Sequence, residues 1–237
     1  MYICFNFFTS CKKSNDGNNI MQPLDFTNCY EKCGLDYEQV HALTGIFGLH
    51  PHLSGNTNLK LEDLQDIYHR RAHILPNLKL ITIEFETTKV SELIRQVIPM
   101  DRCVNNVSLK STKLERGVAL RVLESQVMAA RANKYDFIYV DAFGGTGHAG
   151  YDGHYKWGQL GFQMGDDSQQ EFMEFMSLHK MSFTNLYDLL NSNGGLTFWK
   201  EKGWPWLGYF DVKEDSICSE ILRTERIRYN KNWGVNQ

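Results

Sequence analysis

The sequence predicts an α/β chain in the α+β sense, a central sheet flanked by helices, and three observations carry that prediction. Between Val104 and Phe162 a strand, a glycine turn, a long helix, a second strand and an aromatic loop follow one another without interruption. Two further strand patterns precede this run, and helical patterns stand on both sides of it. A length of 237 residues is enough to bury a full core, as one enlarged domain or as a domain with two extensions. The formal charge of -3 gives no general attraction to nucleic acid or to an anionic membrane, so neither is an expected partner. No apolar run is long enough to cross a bilayer.

Taken in order, residues 1–20 admit two readings. Met1 to Phe8 is short and largely apolar, and Thr9-Ser10-Cys11 passes into the polar run Lys12 to Asn19. That resembles the end of a bacterial lipoprotein signal, with a lipid anchor on Cys11 and the polar run as a tether, which implies the cell envelope. No basic stretch precedes it, and the alternative is a strand followed by a loop in a cytoplasmic protein. Residues 21–77 read as a helical extension, with helices over Asp36 to Leu43 and Leu61 to Arg71 and a Gly/Pro/Asn loop from Gly48 to Asn56 between them. His50 and His52 in that loop have no companion ligand, and no metal is expected there. The six cysteines are too scattered for a disulfide framework, and even Cys29 and Cys33, one helical turn apart, read as buried thiols.

Residues 78–165 hold the core. Leu78 to Glu86 alternates in its first half and reads as a strand, and Leu93 to Ile98 reads as the next, stopped by Pro99. Cys103 to Leu109 is a strand with Cys103, Asn105, Val107 and Leu109 on its more apolar face. The chain then turns polar to Gly117, after which Leu120, Leu123, Val127 and Ala130 recur at helical spacing. Tyr135 to Val140 reads as a strand covered on both faces. The amides of Arg116 to Leu120 thus open a helix without intrahelical partners, where the helix dipole also favours an anion. A phosphate group suits that corner, with Gly117 allowing close approach and Arg116 adding charge. The plainer reading is a glycine that caps a core helix.

Residues 166–237 form a helical and aromatic extension. Asp167 to Met176 is a helix with Phe172, Met173 and Met176 as core, Asn185 to Leu190 a second, and Phe210-Asp211 precedes a last helix carrying Ile217, Ile221 and Leu222. Leu196 to Trp206 holds three of the five tryptophans, of which Trp204 and Trp206 either line a pocket or anchor the extension by buried area.

Two stretches resemble a family. Leu114-Glu115-Arg116-Gly117-Val118-Ala119 resembles a degraded form of the R/Q-x-x-G-x-G/A turn of GNAT-type acyltransferases, which cradles the pyrophosphate of acyl-coenzyme A; Leu114 stands where the family has Gln or Arg. Tyr151 to Phe162 resembles the family's last conserved helix, which closes in a tyrosine, three residues and Gly-Phe. Here Gly161-Phe162 is present, but Trp157 takes the tyrosine position. A phage and mobile-element subgroup of GNAT-like sequences is similar in its Tyr-x-Gly-x-Tyr-x-Trp-x-x-Leu-Gly-Phe pattern and in its tail, so the resemblance runs from about Leu78 to Tyr229.

The resemblance implies a GNAT-like, mixed and mostly antiparallel sheet, with a meander before the coenzyme turn, and transfer of an acetyl group from acetyl-coenzyme A to a small-molecule or peptide amine. Val107 and Leu109 would present backbone to the pantetheine arm, and Leu114 to Ala119 would hold the pyrophosphate. In the family the tyrosine returns a proton to the departing thiolate; an indole is too weak an acid, which leaves Tyr155 as the candidate acid. Asp141, at the C-terminal end of its strand, is the candidate base, with Glu84 and Glu86 as alternatives. Leu114 and Trp157 also suit a catalytically silent GNAT-like binding domain. A third reading is a metal-dependent hydrolase using His148, Asp152 and His154 of the glycine-rich loop.

Overall fold

The computed structural model describes residues 39, 42, 43, 45, 68–75, 80–86, 90–111, 117–145 and 151–233. Seven strands form one sheet: β1 (Tyr68–Leu75), β2 (Leu80–Glu86), β3 (Val90–Ile98), β4 (Cys103–Ser111), β5 (Phe137–Ala142), β6 (Gln163–Met164) and β7 (Trp206–Asp211). Six helices follow β4: α1 (Val118–Ala132), α2 (Gly153–Gln159), α3 (Asp166–Leu178), α4 (Leu186–Asn191), α5 (Gly195–Lys202) and α6 (Ile217–Trp233). The spatial order is β1-β2-β3-β4-β5-β7-β6. Only β4 and β5 run parallel, joined through α1; every other neighbouring pair is antiparallel. The sheet is therefore mixed and mostly antiparallel, and its first four strands make a meander. Among the described residues no helix is long and apolar enough to cross a membrane.

Period-two alternation sets which side chains face the helices. Val97, Val104, Ile138 and Phe210 form one inward row across four strands, and Arg95, Asn106, Val140 and Gly208 the next. The helices gather on this face. Gln126 of α1 exchanges two hydrogen bonds with Asn106, at 3.0 and 2.7 Å. The His154 carbonyl of α2 accepts the indole N–H groups of Trp199 on α5 and Trp206 on β7, at 3.0 and 2.7 Å. Around Trp199 the rings of Phe172, Phe175 and Trp204 pack edge-on or tilted. Helix α6 lies along α1, where the Arg131 guanidinium donates to Ser219 at 2.7 Å.

Several sequence expectations change. The helix expected over Leu61 to Arg71 gives way from Tyr68 onward to β1, because that stretch finds backbone partners in β2. On β4 the alternation does not hold throughout: Val104 and Asn106 go inward, where Gln126 satisfies the Asn106 amide, Val107 is exposed, and Leu109 beyond it packs against the core. β5 is not buried on both faces: its burial alternates, and Tyr139 is 42 % exposed. Met173 lies outward, whereas Phe172 and Met176 are core. The aromatic tail contains α5 and β7, and β7 inserts between β5 and β6 rather than extending an edge.

Candidate functional site

A fork opens in the middle of the sheet. β4 and β5 pair from Cys103 and Phe137 as far as Asn106 and Val140, and no further. Beyond that point β5 stays with β7 through Asp141 and Ala142, while β4 stays with β3 through Ser108, Leu109 and Lys110. The cause is local. Arg95 faces Asn106 and Ile94 faces Ser108, so Val107 is an extra residue, a bulge on β4 at the first unpaired position. A bulge adds twist and bend to its strand, which here carries β4 away from β5. Buried Arg95 reinforces the bend, since its Nη1 donates to the Ser108 carbonyl at 2.8 Å and to the Ile94 carbonyl at 3.1 Å.

At the head of α1, Gly117 is the N-cap at φ 78°, and no side chain caps the helix. The first backbone bond there runs from Arg121 N–H to the Gly117 carbonyl at 3.1 Å, and the amides of Val118, Ala119 and Leu120 have no acceptor among the described residues. One flank of this corner is closed: a Cβ on Gly117 would stand 2.5 Å from the Tyr229 ring of α6. Glycine is therefore required twice, by its positive φ and by the packing of Tyr229. Val118 is buried and Ala119 half-buried. Leu114, Glu115 and Arg116 lie outside the described residues.

Near the C-terminal end of β5 the polar candidates divide between the two faces of the sheet, Asp141 on the outward one and Tyr155 in the helical layer. Asp141 is on the outward face, exposed overall, yet enough of its carboxyl is desolvated to push its pKa up. The chain after β5 is tied back to α2, with a bridge between Gly144 and Asp152 and the His154 N–H donating to the Phe143 carbonyl at 3.2 Å. Tyr155 thereby sits in the first turn of α2, buried, with its phenol bonded to the Asp152 carboxylate. Burial, with Asp152 beside it, pushes the phenol up to about 12, so it is protonated at neutral pH. Partial burial opposes ionisation of Asp152, but the Lys156 ammonium at 2.8 Å outweighs it and holds that carboxyl below its usual value. The Lys200 Nζ lies 4.5 Å from the Tyr155 ring centroid.

Other candidates fall elsewhere. Glu84 shares a row with Ile94 and Ser108, level with the fork but on β2, with β3 and β4 between it and β5. Three strand spacings put it at least roughly 14 Å from Asp141, since β4 and β5 have parted at that level. Leu109 packs half-buried against the core, and Trp157 packs edge-on to Phe162 at 5.0 Å. His154 is buried, and neither ring nitrogen finds a partner at hydrogen-bond geometry. Desolvation lowers its pKa despite Asp152 and the nearby backbone of Trp199 and Lys200. His148 lies outside the described residues, and among those described no three of His, Cys, Asp and Glu converge as a metal site.

Sequence reasoning missed Arg95, the bulge at Val107 and Lys200. The first had a readable signal, because Leu93, Arg95 and Val97 share one alternation phase and a charge stands in an apolar row. The bulge had none, being set by the register in which β4 pairs with β3. A groove of about 220 Å³ between α1 and α6 is lined by Met128, Leu222, Arg131, Arg223 and Arg226. Its guanidinium groups are engaged, Arg226 with Glu124 and the others with backbone carbonyls or Ser219. No protein family, curated protein or solved structure matches the chain.

Proposed function

We propose that the chain is an acyl-coenzyme A-dependent N-acyltransferase of the GNAT type. The observation that carries this reading is the fork: a parallel strand pair that parts at a bulge, beside a helix whose first-turn amides have no acceptor among the described residues. A slot between strands offers backbone groups to an extended amide-containing chain, and helix-head amides suit a phosphate at its end. The residues present fit an acyl-coenzyme A in both respects. Bound there, it supplies a thioester, an acyl group already activated toward amines.

The chain's own residues then have two tasks. Asp141, raised by desolvation and placed at the fork, takes a proton from the incoming amine, directly or through water. Tyr155, held protonated, returns one to the sulfur that leaves. Trp157 occupies the position at which the family has its tyrosine and packs instead, so the donor's part passes to Tyr155.

Tyr229 over Gly117 favours a second reading, a domain of the same type that binds the coenzyme without turning it over. Melting of the full chain with acetyl-coenzyme A, then thiol release with a panel of amines, tests both. A shift that grows with ligand concentration and release that needs an amine support the enzyme. Tyr155→Phe and Asp141→Asn should then lower kcat by about 10²-fold or more with little change in the melting shift. A shift without release supports the silent domain, and no shift with acetyl-coenzyme A or coenzyme A removes both readings.

A further inference from the structure

The groove between α1 and α6 holds two cations that no acid answers. Arg131, in the last turn of α1, donates from Nε to the Val212 carbonyl, and from Nη2 to Ser219 Oγ at 2.7 Å and to the Lys213 carbonyl at 3.4 Å. Arg223, on α6, donates from Nη2 to the next carbonyl along, that of Glu214, at 3.4 Å. Successive carbonyls thus anchor the two guanidinium groups, and Ser219 stands one helical turn before Arg223, so the two side chains lie side by side. Every one of these acceptors is neutral. Glu214, Asp215 and Glu220 are exposed on the same stretch, yet neither arginine forms an ion pair. Arg226, the next arginine of the groove, differs in this respect, since Glu124 meets it at 3.3 Å.

Carbonyl acceptors hold a guanidinium in place without cancelling its charge, and two like charges held together repel until an anion joins them. Donors are left over for one. Arginine has five N–H groups, and Arg131 Nη1 and Arg223 Nε and Nη1 have no acceptor among the described residues. The rest of the lining is mostly apolar, with Val127 and Leu222 buried in the floor and Met128 68 % exposed at the rim. Burial pushes the Glu124 carboxyl up although Arg226 lies beside it, in keeping with a poorly hydrated floor. With Glu124 and Arg226 answering each other, the lining keeps two positive charges.

Two adjacent guanidinium groups suit a dianion whose charge sits on one centre. A phosphomonoester is nearly doubly charged at neutral pH and offers three acceptor oxygens, whereas a carboxylate answers only one of the two charges. The groove holds about 220 Å³, roughly seven times a water's share of liquid volume and below the roughly 300–1,000 Å³ of sites for drug-sized ligands. That leaves room for more than free phosphate and less than a nucleotide. We propose that this groove binds a phosphomonoester on a short apolar stem, its phosphoryl group between Arg131 and Arg223 and its stem over Leu222 and Met128. Arg131 lies about 20 Å along α1 from Val118, so the site is separate from the helix-head corner and does not rest on the acyltransferase reading.

The test is isothermal titration calorimetry of the full chain with n-butyl phosphate, beside inorganic phosphate, valerate and n-butanol. The ester should bind with an affinity that falls as salt rises, and butanol should not bind. Inorganic phosphate should bind about tenfold more weakly for want of the stem, and valerate about tenfold more weakly for want of the second charge. Arg223→Gln should weaken the ester about tenfold. Arg131→Lys, which keeps the charge and loses the planar donor array, should weaken it as well. Met128→Gln should narrow the gap between the ester and inorganic phosphate. Arg228→Gln removes the same charge from α6 at a side chain bonded to Glu225 and Asn191, and should leave binding unchanged. No binding of the ester, equal binding of valerate or inorganic phosphate, or equal weakening by Arg228→Gln would overturn the proposal. Displacement of the ester by a single-stranded oligonucleotide would overturn it too, assigning the arginines to a nucleic acid.

Discussion

Arg95 is a fully buried cation whose Nε and Nη2 have no partner. Burial pushes its pKa down to about 9. An unfolded arginine keeps its proton at no cost, so at every pH below about 9 this group favours the unfolded state. Arg95→Met, which keeps the length and removes the charge, should therefore raise the unfolding free energy by about 2 kcal/mol at neutral pH in urea denaturation. The same variant removes the donor to Ser108 and should weaken acetyl-coenzyme A binding, which separates its structural burden from its place at the fork. His154 has the same sign. Its pKa is depressed below 6.5 by burial, so as pH falls from about 7 toward 5 the unfolded ring gains a proton that the folded ring refuses. Stability should fall through that window, and His154→Gln should flatten the difference between midpoints at pH 7 and pH 5. The charge in an apolar phase was legible in the sequence, but the lack of a counter-ion was not, because partners come from other elements.

At the scale of elements, α1 is fastened to β4 by one polar pair inside the core. Asn106 and Gln126 are both buried and satisfy each other twice. Removing one partner leaves a buried amide unmet, so Asn106→Leu and Gln126→Leu should each destabilise by about 2 kcal/mol. The Leu/Leu double variant should recover most of that, a coupling readable in a double-mutant cycle by thermal or urea denaturation. Alternation and helical spacing placed β4, α1 and β5 in their order, and the positive-φ glycine at the head of α1 followed from its position. Which face of β4 goes inward did not follow, because Asn106 is polar by composition and becomes core only against Gln126. β1 was read as helix and β7 overlooked for a related reason. Each is a strand through backbone partners distant in sequence, β2 for the one and β5 for the other.

For the whole molecule, the uneven covering of the sheet matters most. The described helices bury the inward rows on one side, while the outward rows of β5 and β7 are half-buried to exposed. β5 has a strand on each side and a helical layer over one face, whereas β6 is a two-residue edge strand paired with β7 alone. Hydrogen exchange should follow this order. Ile138 and Val140 amides should exchange only through global unfolding, and Met164 by local opening at markedly lower free energy. Equal protection at the two places would mean that the edge is held by something other than its ladder.

The amino-acid sequence by itself determined the succession of strand, turn, helix and strand, the glycine that must open α1, and the carboxylate that ends β5. Those depend on side-chain period and on backbone freedom, which are local properties of the chain. The tertiary structure decided where β4 and β5 part and that β7 enters beside β5. Those depend on register between distant segments, and a single extra residue at Val107 sets the fork.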